Sequence, residues 1–153
     1  MSKRRFAAKI TTIFGISFRS RLEAHVACTL TAIGISWKYE PRHFKIGKRL
    51  FYLPDFLCQY RGEYWYLEVK PKKPYNIEVT KAKGLVRVGK LPVMVTTSCP
   101  FFGKQFSAVM YWKEGDRAEQ SQGLVGDFLG IRYSEMELFI AQARELYRRE
   151  MAA

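Results

Sequence analysis

Apolar residues recur along this chain in two rhythms, every third or fourth position in some stretches and every second in others. Over residues 20–33, Leu22, Val26, Thr29, Leu30 and Ile33 fall on one stripe. That spacing predicts a helix, with Ser20 to cap it and Gly34 to end it in the left-handed region. The same period predicts a helix over 76–89, with Ile77, Ala82, Leu85 and Val86 inward, although Gly84 weakens it by about 1 kcal/mol relative to alanine. A third helix is predicted over 135–151, where Met136, Phe139, Ile140, Ala143, Leu146 and Tyr147 share a face. Ser134 and Glu137 have the spacing of a capping box at its start.

The period of two predicts strands. Residues 36–44 alternate through Trp37, Lys38 and Tyr39. Residues 49–58 are rich in Leu50, Phe51, Tyr52, Leu53, Phe56 and Leu57, with Pro54 marking an edge or a bulge. Arg61-Gly62-Glu63 reads as a hairpin turn. After it, residues 64–70 put Trp65, Leu67 and Val69 on one face and Tyr66, Glu68 and Lys70 on the other. Pro71 and Pro74 close that strand. Residues 92–97 and 107–112 read as two more strands, and the Gly- and charge-rich stretch 113–131 as a loop. Residues 1–17 form a basic arm punctuated by Phe6, Ile10, Ile13 and Phe14, for which a short helix, an exchanging strand and a frayed tail all stay open.

This order predicts an α/β chain of the α+β sandwich type. A mixed β-sheet is flanked by helices, and a C-terminal strand and helix are appended. The expected division is an arm over 1–17, a core over 18–97 and an extension of the same domain over 98–153. There is no internal repeat, no Gly-x-Gly-x-x-Gly and no phosphate-loop lysine motif.

Composition narrows the function. At 153 residues with 48% hydrophobic positions, one domain with a real core is expected. No apolar run approaches the roughly 18 residues of a membrane span, and no secretory leader is indicated. Cys28, Cys58 and Cys99 are odd in number and widely spaced, which disfavours disulfides and structural zinc and predicts buried thiols in a reducing compartment. His25 and His43 sit in no ligand motif. The expected location is the cytoplasm. Lys and Arg number 26 against 14 Asp and Glu, a net charge of +12. Residues 1–22 hold six Lys or Arg and no acid, and residues 69–90 hold seven against Glu78 alone. Such clusters lower the cost of approaching a phosphate backbone through counterion release.

Four ionisable residues carry candidate chemistry. Glu68 and Lys70, two apart on one strand, project from the same face roughly 6.5–7 Å apart at the backbone. Asp55, in Pro54-Asp55-Phe56, lies on the strand joined to theirs through the turn at Arg61–Glu63. Two carboxylates meeting there make a hard oxygen site for Mg²⁺, which polarises a phosphodiester and generates hydroxide. Lys70 would stabilise the developing charge or position the attacking water. Glu23 stands at the start of the first helix. Duller roles fit each residue alone: an exposed Glu68–Lys70 ion pair, a turn at Asp55, a capping box for Glu23 with Ser20. Glu40 is a weaker candidate. The acids and the lysine nonetheless appear in order within 48 residues of a strongly basic chain.

The strings Phe18-Arg19-Ser20-Arg21-Leu22-Glu23, Trp37-Lys38-Tyr39-Glu40, Leu53-Pro54-Asp55-Phe56-Leu57 and Leu67-Glu68-Val69-Lys70 together resemble the PD-(D/E)XK nuclease superfamily. Two branches are similar: phage endonuclease I, which resolves Holliday junctions, and the endonuclease subunit of heteromeric transposases, whose third motif is also followed by proline, as at Pro71. The resemblance covers residues 15–97 and implies a restriction-endonuclease-like core. It implies Asp55 and Glu68 as metal ligands, Lys70 as the catalytic lysine, and Glu23 as a helix acid acting on the metal directly or through water. The Val69 carbonyl would be a further ligand. The cofactor implied is Mg²⁺, with Mn²⁺ substituting, and the partner is DNA. The resolvase branch implies a homodimer exchanging residues 1–17. The transposase branch normally adds a second helical domain, for which this chain has no room.

Three expectations follow. The first is a Mg²⁺-dependent endodeoxyribonuclease acting on branched or structured DNA. The second is an endonuclease subunit that needs a partner protein, with Phe101, Phe102, Tyr111 and Trp112 either a docking surface or core. The third is a nucleic-acid-binding module without catalysis.

Overall fold

The alternation over residues 56–69 becomes the middle of a sheet, and the other elements take their places from it. The computed structural model describes residues 9–72, 76–101 and 105–153. In chain order the elements are β1 (Thr11–Ile13), β2 (Ile16–Phe18), α1 (Arg21–Ile33), β3 (Ser36–Tyr39), β4 (Phe44–Lys45), β5 (Phe51–Tyr52), β6 (Phe56–Tyr60) and β7 (Glu63–Val69). They continue as α2 (Asn76–Gly89), β8 (Val93–Thr96), β9 (Ser107–Glu114), β10 (Arg117–Leu124), α3 (Val125–Leu129) and α4 (Tyr133–Ala152).

Six strands form one mixed sheet in the order β10-β9-β8-β7-β6-β3. β7 and β8 pair in parallel and every other neighbouring pair is antiparallel. A parallel pair needs a crossover, and α2 supplies it. β6 and β7 close through Arg61 (φ 50°) and Gly62 (φ 80°). Two left-handed residues in a two-residue loop match the strand twist, which is why glycine sits there.

The period of two divides the core between the sheet's faces. Phe56, Cys58, Trp65, Leu67, Val69 and Met94 pack against α1 and α4, with Val26, Leu30, Ile140 and Ala143 from the helices. Tyr66, Val93, Val95, Val109 and Tyr111 pack against Leu85 and Val86 of α2 and against Phe44 and Tyr52 of the β4–β5 ribbon. β8 is buried on both faces, as its unbroken apolar run requires. Gly84 has a packing reason: a Cβ there would lie 3.1 Å from Ile46 Cβ, where the ribbon crosses α2.

Several expectations need correction. The strand over 36–44 stops at Tyr39, because Glu40 turns with φ 47° before Pro41. Phe44 belongs instead to the small β4–β5 ribbon. The strand over 49–58 is two strands parted at Leu53 to Asp55, so Pro54 separates elements rather than bulging one. The stretch 113–131 is not a loop: β9 turns at Gly115 into the eight-residue edge strand β10, and α3 follows. Arg132, in extended conformation, precedes α4 with no side-chain cap, so Ser134 and Glu137 lie inside the helix and form no capping box. Ile77 is exposed rather than inward. Cys28 and Cys58 are buried, whereas Cys99 is half-buried; all three are thiols outside any disulfide.

Residues 11–18 of the arm form the β1–β2 hairpin, turned by Phe14 and Gly15 with positive φ. The hairpin lies on its own chain. Phe14 stacks towards Trp37 and its N–H donates to Glu150 Oε2 of α4 at 3.2 Å. Residues 1–8 lie outside the described residues, as do Pro74 and Phe102. Phe101 and Tyr111 are core residues and Trp112 is half-buried, which favours the core reading of that group over a docking surface. Among the described residues no helix is long and apolar enough to cross a membrane.

Candidate functional site

Antiparallel pairing of β6 with β7 opposes Phe56 to Leu67, so Asp55, one step earlier, faces Glu68, one step later. Pro54 brings the chain out of the β4–β5 ribbon at this point, and the Asp55 carbonyl accepts from Glu40 N–H at 2.8 Å. One bond ties the two strand ends: Val69 N–H donates to Asp55 Oδ2 at 2.7 Å. Both acids are 8% exposed. Both side chains line one cleft, close enough for the charge of Glu68 to act on Asp55.

That geometry sets the protonation. Burial, then the charges of Glu68 and Glu23, push Asp55 well above the usual carboxylate range, against the opposing pull of the Val69 N–H and Lys70. Burial also raises Glu68, with the Tyr52 hydroxyl, Lys70 and Asp55 pulling the other way. Like charges this close in a dry site do not both ionise without a counter-charge. The site therefore favours one proton shared by the pair over two free charges.

The pair opens into a cleft of about 330 Å³ between the β4–β5 ribbon, the ends of β6 and β7, and α2. Lys70 reaches it from the end of β7, its Nζ 3.6 Å from Glu68 Oε1 and 3.6 Å from Glu78 Oε1 in the first turn of α2. Tyr52 donates its hydroxyl to Glu68 Oε2. Burial and the neighbouring acids raise the Tyr52 phenol, so it remains a donor. Each Glu68 oxygen thus has a partner, and the carboxylate plane is held. Arg19 and Lys81 line the mouth. Arg19 is clamped by Glu40 through two 2.9 Å bonds, which lowers Glu40.

Of the residues singled out from the sequence, Asp55, Glu68 and Lys70 meet in one place. Val69 is there through its backbone, its N–H engaged on Asp55 and its side chain in the core on the opposite face. Glu23 stands behind the pair, close enough to raise Asp55, but it does not line the cleft. Its Oε1 accepts from Tyr39 Oη at 2.9 Å and from Arg19 N–H at 3.0 Å. Ser20 does cap α1, accepting from Glu23 N–H at 3.1 Å. The reach-back of Glu23 lands on Arg19 rather than on Ser20, so the capping box is shifted by one residue.

Tyr52, Glu78, Arg19 and Lys81 are not legible in the sequence as site residues. Tyr52 comes from a two-residue strand with no periodic signal. Glu78 reaches the site only because α2 begins beside β7.

The donor set fits a hard cation. Two buried carboxylates adjoin a backbone segment, and no Cys or His lines the cleft. Among the described residues there is no cluster of three or more His, Cys, Asp or Glu suited to a metal. Asp55 and Glu68, with the Val69 carbonyl on the same strand, would be the protein's share of the ligands. Water would fill the rest of a Mg²⁺ shell. A second cavity of about 360 Å³ lies at the far end of the β6–β7 hairpin among Tyr60, Tyr64, Trp65 and Phe128, but it holds a single acid, Glu63, and no acid pair. No known family model, curated protein or solved structure matches this chain.

Proposed function

We propose that the chain is a divalent-cation-dependent DNA endonuclease with a PD-(D/E)XK-type core, acting on branched or otherwise structured DNA. The observation that carries this reading is the Asp55–Glu68 acid pair with Lys70 at its side, in a chain of net charge +12. Mg²⁺ bound by this pair would supply Lewis-acid polarisation of a phosphodiester and a water of lowered pKa.

The chain's own groups then have defined work. Asp55 and Glu68 would release their shared proton to solvent as the cation binds, which leaves carboxylate oxygens as hard donors. Tyr52 holds the Glu68 carboxylate in one rotamer by occupying Oε2. Lys70 presents an ammonium beside Glu68 Oε1, where it orients an attacking water or neutralises charge on the phosphoryl oxygens. Arg19 and Lys81 put positive charge at the mouth, where a phosphate backbone must pass. Glu23, locked by Tyr39 and Arg19, adds negative charge behind Asp55 and favours a cation there.

The experiment is a cleavage panel: labelled duplex, nicked, flap, four-way and single-stranded DNA, each with Mg²⁺ and with chelator. The expected result is Mg²⁺-dependent cutting that favours the branched substrates. Salt-dependent binding that leaves every substrate intact, with Mg²⁺ and Mn²⁺ alike, would replace the nuclease by a binding module.

A further inference from the structure

We propose that Glu78 is the positioning residue for Lys70, holding its ammonium in the cleft once a divalent cation takes Glu68; this rests on the cation-dependent reading above. Lys70 Nζ stands 3.6 Å from Glu68 Oε1 and equally 3.6 Å from Glu78 Oε1. In the cation-free protein the ammonium is shared between two acids. A dication on the Asp55–Glu68 pair changes that balance. It draws the charge of the same carboxylate and repels the ammonium beside it, since like charges within a few ångströms in a partly dry site repel strongly. Glu78 belongs to a different element from Glu68, and its carboxylate remains as a partner. Lys70 is then retained near the reacting phosphate instead of swinging to solvent.

The placement is built into the fold. Glu68 and Lys70 share a face by the strand's period of two, and α2 starts close enough for its first turn to reach back over that face. Glu78 is only 24% exposed at its side chain and Lys70 30%, so the pair is partly desolvated and stronger than a free surface bridge. The negative charge of Glu78 is also felt at Tyr52, across the cleft. The plainer role for an acid in a first helical turn is to complement the helix dipole. That role predicts no dependence on Lys70, and this difference decides the test.

Mn²⁺ binding is measured by calorimetry without DNA for wild type, Glu78→Gln, Lys70→Met and the double variant. With Glu78 gone, Lys70 leans wholly on Glu68 and competes with the cation. Glu78→Gln is therefore expected to weaken Mn²⁺ binding more in the wild-type background than in the Lys70→Met background, by roughly fivefold or more. Glu78→Asp keeps the helix-terminal charge but withdraws the carboxylate by one methylene, and it is expected to behave like Glu78→Gln. In DNA cleavage, Glu78→Gln is expected to lower kcat by roughly tenfold with KM little changed. An equal effect of Glu78→Gln in both backgrounds overturns the proposal, because it marks a direct ligand or a purely structural acid. A Glu78→Asp variant indistinguishable from wild type overturns it too. A wild-type protein that takes up no Mn²⁺ removes the reading beneath it instead.

Discussion

Replacing Asp55 by Asn should stabilise the cation-free protein while abolishing its activity. Two like charges about 4 Å apart at an effective dielectric near 20 repel by about 4 kcal/mol. A shared proton relieves this repulsion, and holding one against neutral solvent costs about 1.4 kcal/mol for each unit by which the folded pKa exceeds the unfolded one. The sign is definite. An acid whose pKa is raised on folding binds more protons folded than unfolded, so stability falls as pH rises from the unfolded carboxylate pKa through the raised one. Asparagine is isosteric, still accepts from the Val69 N–H, and removes the charge that opposes Glu68. The expected gain at pH 7 is about 2 kcal/mol, which for a domain of this size raises Tm by roughly 4–8 °C. The assay is thermal and urea unfolding in chelator between pH 5 and pH 8. The variant's advantage should grow as pH rises. Added Mg²⁺ should raise the Tm of wild type and leave Asp55→Asn unmoved. A variant no more stable than wild type at pH 7, or an advantage that shrinks towards alkaline pH, would refute the account of a desolvated, proton-sharing pair.

Two further outcomes follow from neighbouring groups. Tyr52→Phe removes the hydroxyl on Glu68 Oε2 and should weaken Mn²⁺ binding by roughly tenfold, the worth of one hydrogen bond to a charged group; calorimetry checks it, and unchanged affinity would mean that Glu68 is held without Tyr52. His25 is packed at 4.3 Å on Phe101, 4.5 Å from Tyr147 and 3.5 Å from the Cys99 thiol, and burial, with the charge of Arg21, lowers its pKa to about 4. Its unfolded form binds the proton more readily, so wild-type stability should fall by up to about 3 kcal/mol as pH drops from 6.5 to 4, and His25→Leu should lose that component in acid unfolding curves.

The parts of the molecule legible from sequence are those whose signal is periodic. The bounds of α1 can be read closely because a stripe, a Ser20 cap and a Gly34 stop all agree. Glu68 and Lys70 fall on one face by the strand period, and Asp55 comes opposite through the Arg61–Gly62 turn that sets the register. β10 is illegible because it is an edge strand: six of its residues, Arg117 to Gln122, include only Ala118 as an apolar side chain, so neither face announces a core. The start of α4 is misleading because Ser134 and Glu137 have cap spacing, yet Arg132 already turns the chain into the helix. Tyr52 and Glu78 cannot be read as site residues at all. Their contacts cross 16 and 8 residues of chain and depend on where the ribbon and α2 come to rest, which no local pattern encodes.

If Asp55, Glu68 and Lys70 form one cation-dependent hydrolytic site, a single side-by-side cleavage assay will show it. Wild type, Asp55→Ala, Glu68→Ala and Lys70→Ala are incubated with a labelled four-way junction and Mg²⁺, with junction binding followed in parallel. The expected result is cutting by wild type alone, with every variant still binding the junction. Undiminished cutting by Asp55→Ala or Lys70→Ala would mean that hydrolysis takes place elsewhere or not through these groups.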